Sequence, residues 1–157
     1  MDKTTENILA GIIGKIQPKP DFAPQNKKGY HEICHEICQV AQSTGHPFVS
    51  INEEMFLFTE SHLERMDSHD AKVFIKVAYG KLCDDPVTAS KKEVINGLAS
   101  QLPYTTMALD VKQAVDKINF QNGTLNLNTM GLARHDWKDY FRYMLPYGYD
   151  PVADCPM

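Results

Sequence analysis

INFQNGTLNLNTMGLARHDWKDYFRYMLPYGYDPVADCP occupies residues 118–156, and its first part alternates apolar with polar side chains around an Asn122-Gly123 pair. The apolar positions are Ile118, Phe120, Leu125 and Leu127. Alternation with a period of two directs one side of each short strand into a core. Asn-Gly is the strongest short-range signal for a type I′ hairpin turn, because both central residues of that turn need positive φ. The segment therefore predicts a β-hairpin that turns at Asn122-Gly123, with a second turn at residues 128–131.

An aromatic block follows the predicted hairpin. Its members are Trp137, Tyr140, Phe141, Tyr143, Tyr147 and Tyr149, interrupted by Pro146, Gly148 and Pro151. The candidates for contact with single-stranded nucleic acid are Arg134, Trp137, Lys138 and Arg142, since a stacked base contributes about 1–3 kcal/mol and basic side chains attract phosphate. We favour the alternative, in which Trp137, Tyr140 and Phe141 lie in the core and Tyr147 and Tyr149 stiffen a linker.

The order of motifs in this segment resembles the domain just upstream of the ATPase in phage- and plasmid-type primase–helicases, a domain shared with the poxviral primase–helicase. The family pattern runs NG-x-L-D-L, then a His, then Y-x-T, then L-x-Y-x-Y-D-P-x-A-x-C-P. The matching positions here are Asn122, Gly123, Leu125, Leu127, His135, Tyr140, Leu145, Tyr149, Asp150, Pro151, Ala153, Cys155 and Pro156. Asn126 stands where the family often has Asp, which is a mild departure. The likeness is specific over this segment and looser over the preceding hundred or so residues.

The resemblance implies a role in DNA replication without catalytic residues in this chain. The domain would join primase to helicase and help a hexameric ring assemble or accept DNA. The implied partners are the helicase and primase modules of the same polypeptide, single-stranded or forked DNA, and further copies of the full-length protein. Neither a cofactor nor a metal is expected. The resemblance also implies that a superfamily III motor follows residue 157, which would make the full-length protein an ATP-dependent helicase and primase.

Composition and charge limit the other function classes. With 157 residues, 43% hydrophobic and 23% charged, the chain predicts one ordinary globular domain, with or without a tail. The net charge of −4 weighs against a large phosphate-neutralising surface, although a local basic patch is compatible with it. No apolar run approaches the roughly 18–20 residues of a membrane span, and the N-terminus lacks a signal-peptide pattern. With four cysteines interpreted as reduced thiols, we expect a cytoplasmic protein without membrane contact.

Periodicity along the first half of the chain predicts two helices and a sheet. Residues 4–16 have helical spacing with Thr4 or Thr5 as N-cap, and Gln17–Gly29 is a proline-containing linker. A second helix, Tyr30–Thr44, ends at Gly45. The segments Phe48–Ile51, Met55–Thr59 and His62–Met66 predict an antiparallel meander, with turns at residues 52–54 and 60–61.

Three further helices complete the prediction. Asp67 or Ser68 caps a helix through residues 71–82, whose inward side chains are Val73, Phe74, Val77, Ala78 and Leu82. The next helix, Lys91–Leu102, is closed by Pro103, and a short one spans Ala108–Lys117. The fold class is therefore α+β, a helical domain with a small antiparallel meander and a C-terminal β-hairpin. We divide it into an N-terminal helix with its linker (1–29), a pre-helicase domain (30–146) and a linker toward an ATPase motor (147–157).

One cluster of His and Cys residues invites a metal interpretation. His31, Cys34, His35 and Cys38 lie at positions i, i+3, i+4 and i+7 of the second predicted helix, and zinc prefers these ligand types. However, the first and last positions are about 10 Å apart along the helix axis, so one helix does not supply a closed tetrahedral site. We favour small core cysteines flanked by histidines, without a metal.

Other catalytic signatures are absent from the sequence. Gly11–Lys15 is the nearest approach to a phosphate-binding loop, and it lacks the G-x-x-x-x-G-K-[ST] spacing.

Two alternatives to a pre-helicase domain stay open. The chain could be a stand-alone adaptor or regulatory protein of a mobile element that binds a replication partner. It could also be a metalloenzyme built on the His/Cys helix, which would require bound zinc.

Overall fold

The computed structural model describes residues 2–22, 29–108, 111 and 114–153, and the α+β class is confirmed in them. The helices are α1 (Lys3–Lys15), α2 (Tyr30–Ser43), α3 (Ser68–Cys83), α4 (Pro86–Ala89) and α5 (Lys92–Thr105), with 3₁₀ turns at Pro20–Phe22 and Trp137–Asp139. The strands are β1 (Phe48–Ile51), β2 (Glu54–Phe58), β3 (Leu63–Met66), β4 (Lys117–Phe120), β5 (Gly123–Asn126) and β6 (Gly131–Ala133). Strands β1-β2-β3 form sheet A and strands β4-β5-β6 form sheet B, both antiparallel.

The helical core lies between α1, α2, α3, α5 and one face of sheet A. Its fully buried members include Ile12, Ile16, Ile37, Leu57, Ile75, Leu82, Leu98 and Leu102. Helix α1 contributes to this core together with the later helices. None of the helices in the described ranges is both long enough and apolar enough to cross a membrane.

The helix ends follow capping chemistry, with one correction. Asp2 caps α1, since its carboxylate accepts from the amides of Thr4 and Thr5, so the prediction of Thr4 or Thr5 as the cap was wrong. Asp67 caps α3 by accepting from the amide of Asp70, as predicted. Gly45 ends α2 with φ of +84°, which also confirms the prediction.

Two helix predictions were wrong, one for the end of α5 and one for the buried face of α3. Helix α5 continues through Pro103 to Thr105, since a proline in the last turn forfeits only one hydrogen bond. The hydroxyls of Thr105 and Thr106 satisfy carbonyls of that turn. On α3, Val73 and Val77 are 48% and 47% exposed rather than inward. The buried stripe is rotated toward residues that include Ile75 and Tyr79.

Sheet A forms the predicted meander and is buried on both faces. The turn between β1 and β2 consists of Asn52 and Glu53, which both have positive φ (52° and 66°), as a type I′ hairpin requires. Phe48, Met55, Leu57 and Met66 face the helical core. On the opposite face, Val49, Ile51, Phe56, Phe58 and Leu63 form what we call the second cluster.

Sheet B contains the predicted hairpin with a different turn. Phe120 pairs with Gly123, so the two turn residues are Gln121 and Asn122, and the prediction of a type I′ turn at Asn122-Gly123 was wrong. Gly123 has φ of +147°, and a Cβ there would lie 2.4 Å from the Ala133 carbonyl oxygen. The glycine is therefore needed for the approach of β6, a strand that the alternation pattern did not predict.

Parts of two predicted segments lie outside the described residues. In the predicted helix Ala108–Lys117, residues 109, 110, 112 and 113 lie outside the described residues. The predicted end of this helix was wrong, because residues 115–116 form a turn and β4 begins at Lys117. Residues 23–28 of the predicted linker also lie outside. The preceding residues contact α3, since the Lys19 amide donates to the Leu82 carbonyl (2.8 Å) and the Tyr79 hydroxyl donates to the Phe22 carbonyl (3.3 Å).

Candidate nucleic-acid interface

Residues 141–149, which we call the C-terminal segment, extend sheet B along the free edge of β4. Leu145 forms a parallel bridge with Phe120, and its amide donates to the Asn119 carbonyl at 2.9 Å. The amide of Gln121 in turn donates to the Tyr147 carbonyl at 3.1 Å. The ring of Phe120 contacts the rings of Tyr147 and Tyr149, with centroids 5.9 and 5.6 Å away. Main-chain bonds and aromatic contacts therefore both hold this segment on the domain.

Asn119 lies at the centre of this arrangement and is fully buried. Its amide nitrogen donates to the carbonyls of Ser61 and Tyr143, each at 2.8 Å. Its oxygen accepts from the Thr124 hydroxyl (3.2 Å) and from Nδ1 of His135 (2.8 Å). Because this oxygen can only accept, Nδ1 of His135 carries a proton. One amide thus joins sheet A, both strands of the hairpin and the C-terminal segment.

Asn122 holds the far end of the C-terminal segment. Its side-chain oxygen accepts from the Tyr149 amide (2.8 Å), and its nitrogen donates to the Tyr149 carbonyl (3.0 Å). Three residues of the family pattern, Asn122, Gly123 and Tyr149, are therefore close together. Asp150 follows, and its carboxylate accepts from the Val152 amide across the turn that contains Pro151. Cys155 and Pro156 lie outside the described residues.

The aromatic and basic candidates lie on the second cluster. The rings of Trp137 and Tyr140 meet edge to face at 6.3 Å, and both are half-buried against that cluster, while Phe141 is fully buried. The ammonium group of Lys138 lies 5.7 Å from the centroid of the Trp137 ring.

Two arginines complete the candidate set. The guanidinium of Arg142 lies 4.6 Å from the centroid of the Phe56 ring, so this side chain stacks on sheet A. Arg134 is exposed directly after β6. The structure therefore brings Trp137, Lys138 and Arg142 to one side of sheet A. The Trp137 ring is half-buried there, so only part of its surface is available.

A groove of about 300 Å³ opens beside Trp137. Its lining residues are His35, Cys38, Gln39, Gln42, Pro47, Phe48, Val49, Thr105, Thr106, Met107, Ala108, Trp137 and Tyr140. Tyr140 also lines an adjacent hollow with Ile51, Val111 and Arg142. The groove and the hollow are therefore neighbours on the same face of the domain. Sequence reasoning missed the contribution of α2 to this face, because α2 is far from Trp137 along the chain.

The structure separates the candidate metal ligands between core and surface. Cys34 is buried and its thiol donates to the Leu98 carbonyl, whereas His31 and His35 are exposed with stacked rings 6.2 Å apart. Burial raises the pKa of Cys34 to about 12 and also raises the pKa of Cys38, so both thiols stay protonated near neutral pH. A cysteine that binds a metal ion does so as a thiolate. In the described part of the chain, no three His, Cys, Asp or Glu side chains are arranged to share a metal ion.

An ion pair fixes the 3₁₀ turn Trp137–Asp139 to sheet B. The Lys117 ammonium donates to the Asp139 carboxylate at 2.6 Å, and this hydrogen bond raises the pKa of Lys117. Asp136 caps the same turn by accepting from the Lys138 amide (3.0 Å). Trp137 is thus presented from a backbone that is held at both ends.

Comparison with known proteins identifies a family to which the chain is similar. A sequence model of the family described as D5 N terminal like matches residues 22–157, which include α2 to α5, both sheets and the C-terminal segment. No curated protein sequence matches the chain. Because the family model covers most of the chain, the protein belongs to the D5 N-terminal-like family, a non-catalytic domain at the N-terminal side of D5-like phage and poxviral primase–helicases.

Proposed function

We propose that this chain is the pre-helicase domain of a phage- or plasmid-type DNA primase–helicase, and that it supports helicase assembly and DNA engagement during replication. Family membership supports the general role. The observation that carries the finer role is the C-terminal segment, which is hydrogen-bonded along β4 and fastened at Asn122. In this proposal residues 147–157 lead to an ATP-dependent motor, and the docked segment gives that motor a fixed starting point on the domain.

DNA engagement is proposed for the face that carries Trp137, Lys138 and Arg142. An aromatic surface with adjacent cations is typical of single-stranded nucleic-acid sites. The acidic net charge of the chain limits such contact to a local patch, so we expect binding in the micromolar range that weakens with salt. The proposed role in replication also implies a cytoplasmic location.

Fluorescence anisotropy with single-stranded and forked DNA, at low and moderate salt, tests the DNA contact. The double variant Lys138→Ala/Arg142→Ala should weaken binding severalfold. The matched control is Lys72→Ala/Lys76→Ala, which removes the same charge from the exposed side of α3. Absence of binding at low salt, or equal weakening by both variants, would remove DNA engagement from the proposal.

Helicase assembly requires a second test. The motor of the same replicon should be produced as one polypeptide with this domain and, separately, without it. Sedimentation velocity and DNA-stimulated ATP hydrolysis should both show better assembly when the domain is present. Equal assembly and hydrolysis by the two polypeptides would contradict the proposed role.

A further inference from the structure

The groove beside Trp137 has two chemically different walls. One wall consists of the rings of Trp137 and Tyr140, and the other consists of side chains from one face of α2, including His35, Gln39 and Gln42. Aromatic rings stack on bases, and Gln amides can both donate to and accept from the edge of a base. The groove therefore combines the two kinds of contact that sequence-sensitive recognition of single strands uses.

Contacts within the protein hold parts of both walls in place. The Gln39 amide nitrogen lies 2.9 Å from Nε2 of His35, which orients this amide on the helix surface. Residues 105–108, which also line the groove, are joined to β1. The Ser50 amide donates to the Thr106 carbonyl, and the Ala108 amide donates to the Ser50 carbonyl (both 3.0 Å). Tyr140 has φ of +54°, in the left-handed region, and its amide donates a hydrogen bond to the Trp137 carbonyl (3.0 Å).

The charge around the groove suits an anionic polymer. None of the described residues that line it is acidic, whereas the hollows beside α1 and beside the β1–β2 turn contain carboxylates such as Glu60 and Glu54. Lys138 lies at the Trp137 ring, and Arg142 lies in the adjacent hollow, past Tyr140. These two cations are therefore available to contact the phosphates of a strand whose base enters the groove. A groove of about 300 Å³ is at the lower end of the sizes that small ligands occupy.

We propose that this groove holds one base of single-stranded DNA, stacked against Trp137 and Tyr140 and contacted at its edge by the amides of Gln39 and Gln42. The inference rests on the proposed DNA engagement and adds to it a base-contacting wall on α2. It makes Gln39 and Gln42 specificity-determining residues, so the domain would prefer some base compositions over others.

Trp137 is the single tryptophan of the chain, so its fluorescence reports directly on the groove. We would titrate the full chain with short single-stranded oligonucleotides, each made of one base type, and record both Trp137 fluorescence and the anisotropy of labelled DNA. Binding should quench the fluorescence, and the affinities should differ between base types. The Gln39→Ala/Gln42→Ala variant should lose about tenfold in affinity for the preferred base, a loss near the lower bound for one bidentate base contact.

Gln121→Ala is the control, because this exposed side chain lies in the β4–β5 turn away from the groove. Circular dichroism verifies that each variant is folded. If DNA binds the wild type and the double variant equally, and Trp137 is unaffected, the base site is refuted while DNA engagement stands. If the wild type binds no DNA at low salt, both proposals fail together.

Discussion

Asn119 donates two hydrogen bonds and accepts two, and its four partners belong to different parts of the chain. A buried amide with every polar atom satisfied is favourable, whereas its removal would leave the buried Thr124 hydroxyl, and partly buried groups of Ser61, Tyr143 and His135, without this partner. The residue therefore specifies how sheet A, sheet B and the C-terminal segment are arranged relative to one another.

We expect Asn119→Ala to lower the free energy of unfolding by about 3 kcal/mol, because it removes four hydrogen bonds and leaves the buried Thr124 hydroxyl unsatisfied. Urea denaturation monitored by circular dichroism measures this change. Asn128→Ala is the control, since Asn128 is exposed and its side chain makes one hydrogen bond, to Asp116. A similar loss in both variants would show that Asn119 has no special structural role.

Gly123 is the residue where backbone geometry matters most. Gly123→Ala combines an unfavourable φ with a contact to the Ala133 carbonyl, so we expect a loss of about 2–3 kcal/mol in unfolding free energy. Gly11→Ala should instead gain about 0.5–1 kcal/mol, because Gly11 lies inside α1 with open space around the position of a Cβ. Thermal and urea unfolding of both variants should therefore shift in opposite directions, and a shift in the same direction contradicts the assigned role of Gly123.

The cap of α3 makes helix stability depend on pH. The Asp70 amide donates to the Asp67 carboxylate, and this hydrogen bond lowers the pKa of Asp67 below its usual 3.8. A lowered folded-state pKa means that the stabilisation is fully present above 3.8 and is lost as the pH falls through the folded-state value.

Asp67→Asn keeps a capping side chain that does not titrate. We therefore expect the wild type to exceed this variant in melting temperature near pH 6, and the difference to shrink as the pH is lowered from about 4 toward 3. Melting curves at several pH values measure the difference. A difference that stays constant over this range would contradict the assignment of the cap.

The C-terminal segment should detach locally without unfolding of the domain. Asn122→Ala removes the two bonds to the Tyr149 main chain, so amide hydrogen exchange at Tyr149 should accelerate about tenfold or more. Because Asn122 is exposed, the unfolding free energy should fall by no more than about 1 kcal/mol. Gln121→Ala should leave the exchange unchanged, since Gln121 contacts Tyr147 through its backbone amide. Global destabilisation without faster exchange at Tyr149 would be the contrary result.

The elements that periodicity predicted well are those whose local pattern agrees with their tertiary environment. Helix α2 and the meander of sheet A have clear periods and end at turn residues such as Gly45 and Asn52. The hairpin of sheet B was predicted, but its turn was misplaced by one residue. Gly123 lies in β5, where it allows the approach of β6, and Asn122 is the second turn residue and binds Tyr149. Those partners are distant in sequence, so local turn statistics do not contain them.

Sheet A divides the molecule into the helical core on one side and the second cluster on the other. Phe56 and Leu57 are neighbours on β2 and face opposite sides. A single-sequence pattern of continuous apolar residues shows that a strand is buried, but it does not show what covers each face. For the same reason, the residues of the candidate interface could be named from the sequence, whereas the groove that they form with α2 could not.

This division predicts different outcomes for two adjacent substitutions. Leu57→Ala should cost about 2–5 kcal/mol and Phe56→Ala about 3–5 kcal/mol, because both leave cavities. After Phe56→Ala, Trp137 fluorescence should change at lower urea than far-ultraviolet circular dichroism, since Trp137 reports the second cluster and the helices report the other core. After Leu57→Ala both signals should change together, and coincident transitions in both variants would show that the two clusters unfold as one unit.

The parallel alignment of residues 145–149 with β4 has a mechanical consequence. Tension drawn through the chain beyond residue 149 acts along the strand, so the bonds at Asn119, Gln121 and Asn122 bear the load in shear at the same time. Strands peeled apart from one end lose their bonds one after another, whereas bonds loaded in shear have to break together. A neighbouring module that pulls on this segment would therefore reorient the whole domain before it detached the segment.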